Sequence, residues 1–155
     1  MKMMTNNRIR ECRLAMRHAL DHSTWREAAL AYDEASGFND WKHEDESPDY
    51  DWQLIRTRLT QIRQYRDTRQ IVKLVRHLRQ GLHWNLGNTA NPVLYNHAYI
   101  GTKRLIETYL AEVAASLQFI ADGHFPELPA SEKLRFFRET AASFGRSALM
   151  LSGGA

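Results

Sequence analysis

Apolar residues recur three and four positions apart through most of this chain, and all four prolines fall between the periodic blocks rather than inside them. That spacing is the period of a helix with one buried face. Proline cannot continue a helix, and glycine tolerates the left-handed turn that ends one. The pattern predicts a mainly α chain of about six helices, followed by a single strand. At 155 residues and 43% hydrophobic, there is enough chain for one domain with a real core.

The blocks read in order. Ile9, Cys12, Met16, Ala19 and Leu20 form the stripe of a first helix, and Thr24-Trp25-Arg26-Glu27 fits a capping box for a second, which runs through Ala28, Ala29 and Tyr32 to Gly37. Asp40 to Asp49 is a polar acidic connection in which Trp41 is an anchor into the core. Asp51 caps a third helix with the stripe Trp52, Ile55, Leu59 and Ile62, ending near Arg66. Asp67-Thr68 restarts a fourth, faced by Ile71, Leu74, Val75 and Leu78 and stopped by Gly81; the short link makes these two antiparallel neighbours.

Leu82 to Gly101 is dense in Asn and Gly but holds Leu94, Tyr95 and Tyr99, the signature of an ordered, partly buried loop. Thr102 opens the longest helix, with Leu105, Ile106, Tyr109, Leu110, Val113, Leu117 and Ile120 on one broad face. A sixth starts near Ser131, with Leu134, Phe137 and Ala141 inward and Gly145 at its end. Ala148 to Leu151 is apolar without the helical period and lies between glycines, which fits a fully buried strand of a parallel sheet.

Several function classes fall away on composition. Cys12 is the only cysteine, which excludes an internal disulfide and a cysteine zinc cluster. Lys2, Arg8, Arg10, Arg13 and Arg17 suit the outer face of an amphipathic helix, and no secretory apolar region follows them. The longest apolar stretch, Tyr109 to Ala121, is interrupted by Glu112, Ser116 and Gln118 and is too short to span a bilayer. The reading is a cytoplasmic protein, or one peripheral on a membrane or lipid surface, with no signal peptide and no transmembrane helix.

Charge is segregated although the net value is only +3. From Glu27 to Asp51 nine acids face one lysine, a balance of −8, and from Arg56 to Arg79 eight bases face one acid, a balance of +7. The basic band offers Arg56, Arg63, Arg66, Lys73 and Arg76 to an anionic surface, or else pairs with the acidic segment just upstream. Only Tyr65 interleaves it with an aromatic ring, which speaks against nucleic acid.

Seven histidines invite a metal reading, and His18 and His22 have the i, i+4 spacing of a helical pair. The intervening residues lack the glutamate of a metalloprotease helix and nothing places a third ligand, so no metal site and no cofactor is expected. No G-x-S-x-G occurs; Ser143-Phe144-Gly145 and Ser152-Gly153-Gly154 lack the leading glycine of a nucleophile elbow, so no catalytic residue is identified.

Five ordered segments carry a family likeness. They are Asp40-Trp41-Lys42 with Glu46 to Asp51; Gly81-Leu82-His83 with Asn85-Leu86-Gly87; Asn91-Pro92 with Leu94-Tyr95; Tyr99 to Lys103; and Ala148 to Ala155. In this order they resemble the N-terminal helical domain of the patatin-like triacylglycerol lipases, joined to the first strand of the patatin domain. The resemblance divides the chain into an N-terminal amphipathic helix (1–23), the helical lipase domain (24–145) and the start of a truncated patatin-like catalytic domain (146–155). It implies a parent enzyme that hydrolyses triacylglycerol or phospholipid esters with a Ser-Asp dyad lying beyond this chain. It also implies a patatin catalytic domain, a lipid ester and a lipid surface as partners. Gly153 and Gly154 match the opening of the family's oxyanion loop, and this chain alone is expected to be inactive. The rival reading is a freestanding helical adaptor or membrane-surface module that binds through Arg56 to Arg79.

Overall fold

The computed structural model describes residues 2–82 and 85–144. Among these residues there are eight helices, one short 3-10 turn and no strand: α1 (Lys2–His18), α2 (His22–Ala35), α3 (Phe38–His43), α4 (Trp52–Asp67), α5 (Ile71–Gly81), the turn Leu86–Asn88, α6 (Val93–Asn96), α7 (Arg104–Asp122) and α8 (Ala130–Phe144). The mainly helical class is as expected. The count of six is too low, because α3 and α6 are short helices inside segments that read as connections. Asn and Asp favour turns locally, and packing of Trp41 and Leu94 overrides that preference. The expected strand at Ala148–Leu151 lies outside the described residues.

One apolar cluster organises the fold. Ile55, Leu59 and Ile62 of α4 meet Ile71, Leu74 and Leu78 of α5, and Leu105, Ile106, Tyr109, Val113 and Ile120 come from α7. Phe136 closes it from α8, and Leu94 enters from α6 with no exposed surface. Helix α4 packs on both α5 and α7, α5 on α8, and α1 on α2. The short turn does bring α4 and α5 together as neighbours. None of the residues of this cluster comes from α1 or α2, whose buried contacts are Cys12, Ala28, Ala29 and Tyr32. The α1–α2 pair is therefore fastened to the rest by other means.

Four local readings are corrected. The cap of α2 is Asp21, whose carboxylate accepts from the Thr24 backbone N–H at 2.8 Å, so the box starting at Thr24 is not made. Asp51 caps α4 as read, accepting from the Leu54 N–H at 2.9 Å. Leu20, placed on the first stripe, stands past the end of α1 and is 99% exposed. Leu110, placed on the inward face of α7, is about half exposed. On α8, Leu134 is about half exposed and Ala141 is exposed, while Phe136 is fully buried and Phe137 packs partly buried on the core, so the inward face is centred one residue from the reading.

Gly81 does not act through a left-handed turn. It is the last residue of α5, and a side chain there would meet the guanidinium of Arg58, which donates to the His77 carbonyl. Its small size is what lets Arg58 reach across from α4. Gly37 and Gly101 do hold positive φ, each at 77°, where other residues are strained.

Candidate functional site

The family-like segments at residues 40–51, 91–95 and 99–103 meet at a buried polar joint between the acidic connection and the loop before α7. Asp33 of α2 is fully buried and its carboxylate accepts three hydrogen bonds: from Lys42 Nζ of α3 at 2.9 Å, and from the backbone N–H groups of Tyr99 at 2.9 Å and Ile100 at 3.0 Å. Lys42 is itself buried, so both charges of this pair are out of water. A carboxylate in such a place is tolerated only when its lone pairs are met, and three donors meet them.

Lys103 forms the second half of the joint. It is 1% exposed, and its ammonium donates to the carbonyls of Trp41 and Glu44, both at 2.8 Å, while lying 4.5 Å from the centre of the Trp41 ring. Burial lowers its pKa from the ordinary lysine value, opposed by the nearby Glu44, Asp49 and Asp45. Trp41 is stacked on its other neighbour, His97, at 4.0 Å, so the indole is an anchor as the sequence suggested.

The remaining motif residues tie the same two loops. Tyr50 donates to the Asp45 carbonyl at 2.6 Å, and burial followed by the charge of Asp45 pushes its phenol up to about 12. Asn88 and Asn91 both donate from their side-chain amides to the Asp49 carbonyl, at 2.9 and 3.0 Å. Thr102 donates to the Leu94 carbonyl at 2.6 Å, and its N–H donates to Glu107. Each of these polar groups has a partner within the fold. Their chemistry here is that of a buckle.

The basic band divides in two. Arg56 pairs with Asp45 at 2.7 Å and lies over the Trp52 ring; Arg63 and Arg66 both reach Glu112 on α7. Arg79 pairs with Glu139 of α8 at 2.7 Å. Lys73 and Arg76 on the outer face of α5 have no partner among the described residues, nor has Arg69 in the turn before them, and all three are exposed. Val72, 47% exposed, sits among them. Of the upstream acids only Asp45 pairs with this band; the others find different partners or solvent.

His18 and His22 do not share a helix, since α1 ends at the first and α2 begins at the second. Among the described residues no group of three or more His, Cys, Asp or Glu is placed to hold a metal. No described helix is long and apolar enough to cross a membrane. Gly153 and Gly154 lie outside the described residues.

Sequence reasoning missed Asp33. It lies outside the five segments and looks like one more acid of a solvated run. The available signal was its phase, one residue after Tyr32 and four after Ala29 on the inward face of α2.

The geometry defines an all-helical domain whose buried polar chemistry is internal fastening and whose α5 carries free cations on its outer face. The chain belongs to the family described as Domain of unknown function (DUF3336), whose model matches residues 2–142. Triacylglycerol lipase ptl3 of Schizosaccharomyces pombe is 35% identical over 144 residues, covering 93% of this chain and 29% of that protein. Triacylglycerol lipase 4 of Saccharomyces cerevisiae is 35% identical over 137 residues, 88% of this chain and 15% of its own length. A patatin-like phospholipase domain-containing protein of Cryptococcus neoformans is 34% identical over 146 residues, 92% of this chain and 16% of its own. The chain thus spans less than a third of the curated relatives it matches. No solved structure matches it. The resemblance to the N-terminal helical domain of these lipases is borne out by these relatives.

Proposed function

We propose that this chain is the helical, non-catalytic part of a patatin-like lipase, a rigid mount that carries a lipid-ester hydrolase domain to its substrate surface. The observation that carries the reading is the buckle. Asp33, Lys42, Tyr50, Asn88, Asn91, Thr102 and Lys103, in and beside the family-like segments, are each occupied in fastening loops rather than left converging on a substrate. The chemistry then belongs to a Ser-Asp dyad elsewhere in the longer protein, with Gly153 and Gly154 as the start of its oxyanion loop.

Within that reading the lipid surface meets α5. Lys73 and Arg76, with Arg69 beside them, keep their charges free, whereas Arg56, Arg63 and Arg66 are held by Asp45 and Glu112. Each free cation near an anionic bilayer is worth about 1 kcal/mol, and Val72 adds a small apolar contact.

The test has two arms. The purified chain should hydrolyse triolein and a short-chain ester no faster than a Gly153→Ala/Gly154→Ala control; turnover that depends on those glycines would refute the assignment of chemistry elsewhere. Cosedimentation with phosphatidylserine vesicles should fall with salt and with Lys73→Glu/Arg76→Glu. Binding indifferent to both would remove α5 from the surface contact.

A further inference from the structure

Beside the α1–α2 pair lies an open cleft apart from the basic face of α5. It measures about 390 Å³ and is lined by Arg13, Met16, Arg17, Trp25 and Tyr99. Its composition differs from the other two clefts of note. The one of about 520 Å³ near α3 includes Glu34 and Glu107, and the one of about 190 Å³ beside α8 includes Glu127 and Glu132. The α1–α2 cleft alone among these three is lined by two guanidiniums and no acid.

Arg13 and the aromatic rings of its lining are held by contacts within the fold. Arg13 donates to the Tyr32 hydroxyl at 2.8 Å and lies over that ring, which orients the guanidinium while leaving further N–H groups to bind. Tyr99 stands edge-on to Tyr32 at 5.0 Å and to Trp25 at 6.4 Å, and His22 stacks on Trp25 at 6.1 Å. Arg17 is exposed and has no partner among the described residues. Asp21, the acid nearest in sequence to Trp25 on its N-terminal side, is occupied by Thr24.

Two guanidiniums, a thioether and two aromatic rings lining one cleft are the complement of an amphiphile with a single anionic head. A forked guanidinium fits a carboxylate or phosphate, and indole and phenol rings favour the boundary between apolar and wet surroundings. The volume is within the range of small-ligand sites. We propose that this cleft binds the anionic head of an acyl amphiphile through Arg13 and Arg17, with the first part of the tail against Met16, Trp25 and Tyr99. The inference stands on this cleft and not on the lipase reading. It uses residues remote in sequence from α5, so either can fail without the other.

The experiment uses the whole chain with sodium decanoate below its micelle-forming concentration, followed by calorimetry and by the indole N–H resonance of Trp25. Decanoate should bind and shift Trp25 rather than Trp41 or Trp52. Decyltrimethylammonium, of the same tail and opposite charge, and inorganic phosphate, with no tail, should each bind much more weakly. Arg17→Gln, at an exposed position that leaves the fold alone, should weaken decanoate about tenfold, and Arg17→Lys should restore part of the loss. A second arm uses vesicles of phosphatidylcholine with and without phosphatidic acid. Binding of free decanoate without Arg17-dependent vesicle binding assigns a soluble carboxylate; the reverse assigns a headgroup in a bilayer. Equal affinity for the cationic and anionic decyl compounds overturns the proposal, as does Arg17→Gln without effect in both arms, or a response confined to Trp41 and Trp52.

Discussion

One buried carboxylate carries the polar link that holds the α1–α2 pair. Asp33 has three donors and no exposed surface, and Lys42 is nearly as deep. Removing one member of such a pair leaves the other as an uncompensated buried charge, which costs about 3–5 kcal/mol. Lys42→Met should therefore lower stability by that amount in urea denaturation, whereas Arg8→Met, which breaks the exposed pair with Glu34, should cost under about 1 kcal/mol. The sequence could not grade these two pairs. Both are ordinary acid–base combinations until burial separates them.

His77 supplies a pH dependence at the same scale. It is buried on α5 beside the Tyr65 ring, with Nε2 unpartnered among the described residues, and burial followed by the charge of Arg58 lowers its pKa. A lowered histidine pKa means that the unfolded chain takes up its proton first. The contribution to stability is thus complete above the ordinary value near 6.5 and is lost as pH falls through the range below it. The urea midpoint should drop on acidification from pH 7 toward pH 5 and do so less steeply in His77→Gln. An unchanged slope in that variant would dissociate His77 from the effect.

Among the elements, six long helices were legible because each carries a three-and-four stripe and a terminator of its own. The stripes of α4, α5 and α7 are nearly all buried as read. What was not legible depends on tertiary contact. Helix α3 exists because Trp41 and Lys42 are drawn into the joint, and α6 because Leu94 fills the core. On α8 the alternatives Phe136 and Phe137 are equally apolar, and only the position of α5 selects the first. The cap of α2 gives a direct check. Asp21→Ala should cost about 1 kcal/mol in thermal or urea unfolding, and Glu27→Ala, which would matter in a box starting at Thr24, should change little.

At the scale of the molecule, the five segments that resemble the lipases were legible as a set, but their work was not. Spacing in the chain cannot show that Asn88 and Asn91 share the Asp49 carbonyl, or that Lys103 closes on Trp41 and Glu44. Those contacts cross between loops, with Asp33 tying both to α2. The main apolar cluster draws on neither α1 nor α2, and that pair is joined to the rest through the Asp33 link together with the ring contacts of Trp25 and Tyr32 with Tyr99 and of Tyr32 with Phe38.

The central claim is that this polar joint fastens the hairpin to the core. Amide hydrogen exchange in the whole chain tests it directly, at the Tyr99 and Ile100 N–H groups that donate to Asp33. The account predicts slow exchange of both in the native protein. In Asp33→Asn both should exchange at least about tenfold faster, together with amides of α2, while Ile62 and Leu74 in the core stay protected. Unchanged protection at Tyr99 and Ile100 in that variant would contradict it.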